Sequence, residues 1–286
     1  MSEKRSKVTI PDLYAMVERG EPITFLTAYD YPTALLEDRA GMDMILVGDS
    51  GAMCLLGHNS TLAATMDFMI TITAAVSRAA ARAFVVGDMP YMSYQPSDAV
   101  AIENAGRFIA AGGADAVKLE GGARMAARVE AIAGAGIPVM GHIGLTPQAA
   151  SAIGGLKAQG RDAATARQLV DDARVLEEAG AFAILLEAIP ARVAELITHR
   201  AGVPILSIGS GSGCHGQLLI VHDILGLFEA FTPKFVKRYA ELAPIMEQAF
   251  RDYIGEVKAG AFPTPDHEYH IPKEEWRRLR ELVGDE

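Results

Sequence analysis

Five successive apolar runs in this chain each end on an ionisable or metal-competent side chain, and that repetition limits the fold more than any other feature. Asp49 closes Ile45-Leu46-Val47-Gly48, Asp88 closes Phe84-Val85-Val86-Gly87, and Glu120 closes Ala116-Val117-Lys118-Leu119. His142 follows Val139-Met140-Gly141, and Glu187 closes Ala183-Ile184-Leu185-Leu186. Runs this short and this apolar suit strands buried on both faces, as parallel strands are in α/β folds. All their C-terminal ends then lie on one face of the sheet, and the five side chains converge there. Lys118 stands two positions before Glu120, so the period of two puts both on the same side of one strand. Gly121-Gly122 then let the backbone turn away into a loop.

The same alternation continues in both directions. Apolar runs at 23–28, 45–47, 84–87, 113–122, 137–141, 183–186, 204–208 and 218–221 predict eight strands, the last of them the weakest in sequence. Helical spacing predicts helices over 31–40, 62–82, 97–112, 123–133, 161–179 and 191–199 between them, with Thr9-Ile10-Pro11-Asp12 opening one more ahead of the first strand. Helices over 233–259 and 272–283 are predicted to follow the last strand. Eight strand–helix alternations in a chain of 286 residues predict a (β/α)8 TIM barrel with an extra N-terminal helix and C-terminal helices, all one domain over 1–286. The glycine-bearing stretch from His142 to Asp162 is too long to be a plain connector.

Charge and cysteine content bound the function. A net charge of −10 with no dense Lys/Arg tract argues against nucleic acid or an anionic membrane as partner and leaves small molecules. Cys54 and Cys214 lie far apart in sequence with no CxxC, which suggests neither a disulfide framework nor a zinc knuckle but reduced thiols in a cytoplasmic protein. The start of the chain has no apolar segment of signal-peptide length, and charges at Asp67, Arg78 and Arg82 interrupt the most apolar long stretch.

The strand-end residues suggest a chemistry. Asp49, Asp88 and Glu120 offer only oxygen, which suits a hard divalent cation, Mg²⁺ above all, and not zinc. Lys118 beside such a site can neutralise a substrate carboxylate or, if desolvated, form a Schiff base; with a metal at hand as electron sink the first role is preferred. Glu187 has the position of a general base. His142 can bind substrate or brace a loop. The turn Gly209-Ser210-Gly211-Ser212-Gly213 lacks the lysine and following helix of a phosphate-binding loop and reads as a tight strand exit.

Six segments together resemble the ketopantoate hydroxymethyltransferase family, over about residues 8–265. They are Thr27-Ala28-Tyr29-Asp30-Tyr31, Val47-Gly48-Asp49-Ser50, Gly57-His58-Asn59-Ser60-Thr61-Leu62, Val117-Lys118-Leu119-Glu120-Gly121-Gly122, Gly141-His142-Ile143-Gly144-Leu145-Thr146-Pro147-Gln148 and Gly155-Leu156-Lys157-Ala158-Gln159-Gly160-Arg161. The resemblance implies a Mg²⁺-dependent barrel enzyme that moves a one-carbon unit from 5,10-methylenetetrahydrofolate to 3-methyl-2-oxobutanoate, giving 2-dehydropantoate. Carried onto this chain it implies Asp49 and Asp88 as metal ligands, with Glu120 in or just outside the metal shell. It implies Asp49, Ser50, Asp88 and Lys118 as the residues that hold the oxo acid, and Glu187 as the proton acceptor. His142 is a secondary candidate. It also implies a large ring-based homo-oligomer, possibly a decamer. The resemblance departs from the family after the seventh strand, where His215 stands in place of an acid and Ser210 and Ser212 replace apolar or small residues. The enzymatic rivals are a paralogue acting on another 2-oxo acid and a C–C lyase of the phosphoenolpyruvate and isocitrate lyase type; a non-enzymatic scaffold would have lost the site acids.

Overall fold

The computed structural model describes residues 6–285. The chain divides into two compact units, 1–239 and 240–286. The first is a closed barrel of eight parallel strands in sequence order: β1 (Ile23–Thr27), β2 (Met44–Val47), β3 (Phe84–Asp88), β4 (Ala116–Glu120), β5 (Val139–Gly144), β6 (Ala183–Glu187), β7 (Ile205–Ile208) and β8 (Gly216–Leu219). Thr24 of β1 pairs with Gln217 of β8, which closes the ring. The (β/α)8 expectation holds, with strand limits within a few residues of those predicted.

Period-2 alternation sorts the apolar residues into two layers. Ile45, Val85, Val117, Leu119, Val139, Ile184, Leu186 and Ile205 face outward and pack with the surrounding helices. Phe25, Met44, Leu46, Phe84, Val86, Ala116, Met140, Leu185, Leu206 and Leu218 fill the barrel's interior toward its N-terminal end. That end is plugged from below by Leu13 and Met16 of the first helix, Ile10–Glu18, which belong to the same cluster. Its start is set as predicted, with Thr9 as the N-cap and Asp12 closing the capping box. The N-terminal rim carries acids whose bonds are used within the framework. Asp43 accepts from the Thr24 N–H and hydroxyl at 3.0 and 2.7 Å and pairs with Arg82 at 3.0 Å. Asp115 accepts from the Val85 N–H at 2.7 Å and pairs with Lys7 at 2.8 Å.

Two helix boundaries differ from expectation in an instructive way. The 62–82 helix splits into a 3₁₀ turn, Thr61–Ala63, and a helix, Met66–Ala79, because Thr65 caps the latter by accepting from the Phe68 N–H. The predicted helix over 233–259 begins only at Leu242. Residues ahead of it form turns and irregular chain held against the barrel: the Tyr239 N–H donates to the Ile224 carbonyl at 2.8 Å, and the Phe235 ring lies over Gly209. Tertiary anchoring overrides helical spacing there.

The second unit consists of the helix Leu242–Ala259, a 3₁₀ turn at Pro265–His267, and the helix Lys273–Val283. None of the residues of its long helix is buried. Among the described residues no helix is long and apolar enough to cross a membrane.

Candidate active site

Where the inward-facing positions reach the C-terminal end of the barrel, their chemistry changes from apolar to ionisable. Above Ala116 on β4 come Lys118 and Glu120, above Val86 on β3 comes Asp88, above Met140 on β5 comes His142, and above Leu185 on β6 comes Glu187. Register brings them side by side, with Asp88 across from Lys118 and Glu120 across from His142. His142 lies within β5, since that strand runs three residues further than sequence predicts. Asp49 and Ser50 stand just beyond β2, where Ser50 opens the short helix Gly51–Cys54.

These side chains form one connected group. Lys118 Nζ lies 2.8 Å from Asp88 Oδ1 and 3.3 Å from His142 Nδ1. His142 Nδ1 is 3.6 Å from Glu120 Oε1, and its Nε2 is 3.1 Å from Glu187 Oε2. The Asp49 N–H donates to Asp88 Oδ2 at 3.1 Å, and the Ser50 hydroxyl is 2.8 Å from the Tyr29 hydroxyl. Asp49, Asp88, Lys118, Glu120 and His142 are all at most 5% exposed. Asp49, Asp88, Lys118, Glu120, His142 and Glu187 are linked by these contacts, whereas Ser50 touches Tyr29 and lines the same cavity.

Charge at this depth is set by neighbours. Burial, then the Asp88 and Glu120 carboxylates, push Asp49 well above the usual carboxylate range. Burial opposes the Lys118 charge, but Asp88, Glu120 and Asp49 outweigh it and raise its pKa. Burial and Lys118 likewise oppose a charged His142, yet contacts with Glu120 and Glu187 push the imidazole up to about 9. The imidazole is braced between two carboxylates. Three carboxylates on the floor, with Glu187 beside them, face two cations, an excess of negative charge that invites a cation. Asp88 Oδ1 and His142 Nε2 are buried and make no hydrogen bond of good geometry despite their close ionic neighbours. Among the described residues no three His, Cys, Asp or Glu side chains converge tightly enough to hold an ion by themselves. That arrangement is compatible with Mg²⁺, which takes few protein ligands and keeps water or substrate oxygen for the rest.

The residue that sequence gave no role is Gln148. Its Nε2 donates to Asp49 Oδ2 and to the Met89 carbonyl, both at 3.0 Å, and its N–H donates to Glu120 Oε2 at 3.0 Å. The Tyr94 hydroxyl donates to its Oε1 at 2.8 Å. An uncharged side chain on the loop after β5 thus fixes the separation of two acids from different strands. Glu187 is set by backbone: Gly144, at φ +98°, passes so close that a Cβ would lie 2.3 Å from the Glu187 carbonyl, and Ala188 adopts φ +49°, a conformation rare outside glycine.

The departures from the family pattern fall outside this group. His215 lies at the opposite end of the barrel, where its Nδ1 accepts from the Ile205 N–H at 3.0 Å. Ser210 is buried; its hydroxyl donates to the Leu186 carbonyl at 2.9 Å and accepts from the Ile189 N–H at 3.1 Å, tying the ends of β6 and β7. Above the ionisable floor opens a cavity of ≈ 400 Å³, lined by Asp49, Ser50, Lys118, Glu120, His142 and Glu187 and walled further out by Leu156, Phe228, Phe231 and Phe235.

Solved structures of phosphonopyruvate hydrolase (TM-score 0.60, 16% identity, 98% of this chain and 95% of that one) and of oxaloacetate acetylhydrolase with a bound inhibitor (0.60, 13%, 97% of each) share the fold. At the level of sequence, the 3-methyl-2-oxobutanoate hydroxymethyltransferase of Oleidesulfovibrio alaskensis is 54% identical over 97% of this chain and 96% of its own. That of Moorella thermoacetica is 55% identical over 93% and 99%. The family described as ketopantoate hydroxymethyltransferase matches residues 7–265. The chain belongs to the ketopantoate hydroxymethyltransferase family of transferases.

Proposed function

We propose that the chain transfers a hydroxymethyl group from 5,10-methylenetetrahydrofolate to 3-methyl-2-oxobutanoate, giving 2-dehydropantoate, with Mg²⁺ at its floor. The observation that carries this reading is the convergence of a buried cation, Lys118, an acid, Asp49, and a separate carboxylate, Glu187, on one cavity, with Asp88 directly behind it in contact with Lys118 and the Asp49 N–H. Asp49 and Asp88 would hold the metal, with Glu120 just outside it, pinned by Gln148. When bound, Mg²⁺ would polarise the oxo acid's carbonyl and so acidify the neighbouring C–H. Lys118 lies beside Asp88 and supplies positive charge for the substrate's carboxylate, and Ser50, with its hydroxyl fixed by Tyr29, stands at the edge of the same pocket.

Glu187 accepts the C3 proton. Its carboxylate lines the cavity, with one oxygen 3.1 Å from His142 Nε2 to hold it in place. Family resemblance and the two free cysteines extend the proposal to a homo-oligomer in the cytoplasm.

The test isolates deprotonation. Exchange of the C3 hydrogen with deuterated solvent needs the oxo acid and metal but no one-carbon donor. Glu187→Gln keeps the shape and loses the basicity, so exchange should fall by ~10²–10⁴ while oxo-acid binding survives. A variant that exchanges at the parent rate shows that Glu187 is not the base.

A further inference from the structure

Behind the acids of the floor stands a polar layer that does not reach the cavity. Tyr94, on the loop between β3 and the helix Asp98–Ala110, is 1% exposed and belongs to the outer core. Gln148 sits in the 3₁₀ turn Pro147–Ala149 after β5 and is buried. Asp49 and Glu120 line the cavity, whereas Tyr94 and Gln148 stand behind them. The two therefore act on a ligand only through the acids they hold.

The direction of the bonds in this layer follows from one phenol proton. The Glu120 N–H donates to the Tyr94 hydroxyl oxygen at 3.1 Å, so the hydroxyl accepts on one side and has a single proton to give on the other. Gln148 Oε1, at 2.8 Å, is a nearer acceptor for it than the Glu120 carbonyl, at 3.2 Å. Gln95 Nε2 donates to the same Oε1 at 3.3 Å. With its oxygen engaged in this way, the Gln148 amide turns its NH₂ toward Asp49 Oδ2 and the Met89 carbonyl, at 3.0 Å each. The reverse orientation would set Oε1 against those two acceptors. The phenol thus fixes which way the amide points.

The consequence is a clamp that joins the exits of four strands. Asp49 follows β2, Tyr94 follows β3, Glu120 ends β4 and Gln148 follows β5. Each acid is tethered by one oxygen, Asp49 through Oδ2 to the Gln148 amide and Glu120 through Oε2 to the Gln148 N–H. The two carboxylates cannot spread apart without leaving buried polar groups unpaired. A fixed spacing of oxygens discriminates between cations. Mg²⁺ demands short bonds in near-octahedral geometry, whereas Ca²⁺ takes longer bonds, more ligands and a more flexible site.

We infer that Tyr94 is a positioning residue that sets the floor's preference for a small divalent cation, acting through the Gln148 amide on the spacing of Asp49 and Glu120. The inference rests on the metal reading above and adds to it the residues that select the ion.

The experiment needs no turnover. Mn²⁺ bound to the full chain is followed by its electron paramagnetic resonance signal, and Mg²⁺ and Ca²⁺ are added to displace it. Tyr94→Phe keeps the ring and loses the hydroxyl; its Mg²⁺ affinity should fall by ~10-fold or more, and its Ca²⁺ affinity by clearly less, so that the preference for Mg²⁺ narrows. Gln148→Met keeps the length and loses the amide, and should narrow the preference in the same way. The double variant should lose no more than the single ones, because both changes lie on one path. Mg²⁺ affinity within about twofold of the parent in Tyr94→Phe overturns the inference. Equal losses for Mg²⁺ and Ca²⁺ overturn it as well, since a merely loosened fold gives that result. So do losses that add in the double variant. If Tyr94→Phe does not fold, an unchanged preference in Gln148→Met overturns it. A parent chain that binds no divalent cation overturns the metal reading, and the inference with it.

Discussion

Acids occur at both ends of the barrel, and they are treated in opposite ways. At the N-terminal rim Asp43 accepts two hydrogen bonds from Thr24 and pairs with Arg82, and Asp115 accepts from Val85 and pairs with Lys7. Their bonding capacity is taken up by backbone amides and by cations fixed nearby. At the C-terminal face Asp49, Asp88 and Glu120 are more deeply buried but are held mainly by each other's neighbours, Lys118, His142 and Gln148. Asp88 Oδ1 has only the Lys118 ammonium, at 2.8 Å, as its partner. The difference teaches how to tell a structural carboxylate from one held in reserve for a ligand. The first is fully bonded by the framework, and the second is buried, mutually repelled and left with spare acceptors.

Substitutions at the two ends should therefore separate function from stability. The largest effect is expected at the C-terminal face. Lys118→Ala removes the counter-charge of Asp88 and should weaken apparent oxo-acid affinity on the order of a hundredfold, read from the concentration dependence of C3 exchange. An unchanged affinity would remove Lys118 from the substrate site. At the other end Asp43→Ala strips bonds from Thr24 and Arg82 and should cost about 3 kcal/mol of stability in denaturant unfolding, with exchange per folded molecule unaltered. Loss of exchange in that variant would break the distinction between the ends.

One further acid belongs to neither class and sharpens the contrast. Glu37, on the helix Tyr31–Ala40, is 6% exposed with no hydrogen bond to either oxygen, and burial, aided by Asp30, pushes its carboxyl up to about 8. Its folded pKa lies above the ordinary value, so its ionisation opposes folding. The penalty is absent below about pH 4.5, grows as pH rises toward 8, and is full above that. Glu37→Gln should thus raise stability by about 2 kcal/mol at pH 8, part of the gain being offset by an amide that inherits the same unmet bonds, and by nothing at pH 4.5. A gain independent of pH would show that packing, not charge, is what the glutamate disturbs.

The barrel and the ionisable floor were legible in sequence for one reason: strand periodicity fixes which residues share a face, and parallel topology fixes which ends share a side. Asp88, Lys118, Glu120, His142 and Glu187 needed nothing more. Gln148 and Tyr94 were not legible as site residues because neither stands at a strand end. Gln148 lies on a loop whose path depends on the Tyr94 hydroxyl, and Tyr94 on the loop after β3. The stretch before Leu242 misled because its helical spacing is real, but Phe235 and Tyr239 are held by contacts with Gly209 and Ile224, distant in sequence. His215, which departs from the family pattern, directly precedes β8 and so belongs to the N-terminal rim, where it bonds the start of β7.

Closure of the ring has a consequence for how the chain is made. β1 finds its second neighbour only in β8, and the Thr27 hydroxyl, which accepts from the Val221 N–H at 3.0 Å, bridges 194 residues. During synthesis the first strand therefore leaves the ribosome with one edge open and keeps it open until nearly the whole barrel has followed. The helix that precedes it carries Leu13 and Met16, which cover the interior at that end. Loop-closure entropy of that span must be met in a single late step. Nascent chains ending before residue 216 should be substrates for chaperones, and those ending just past 221 should not.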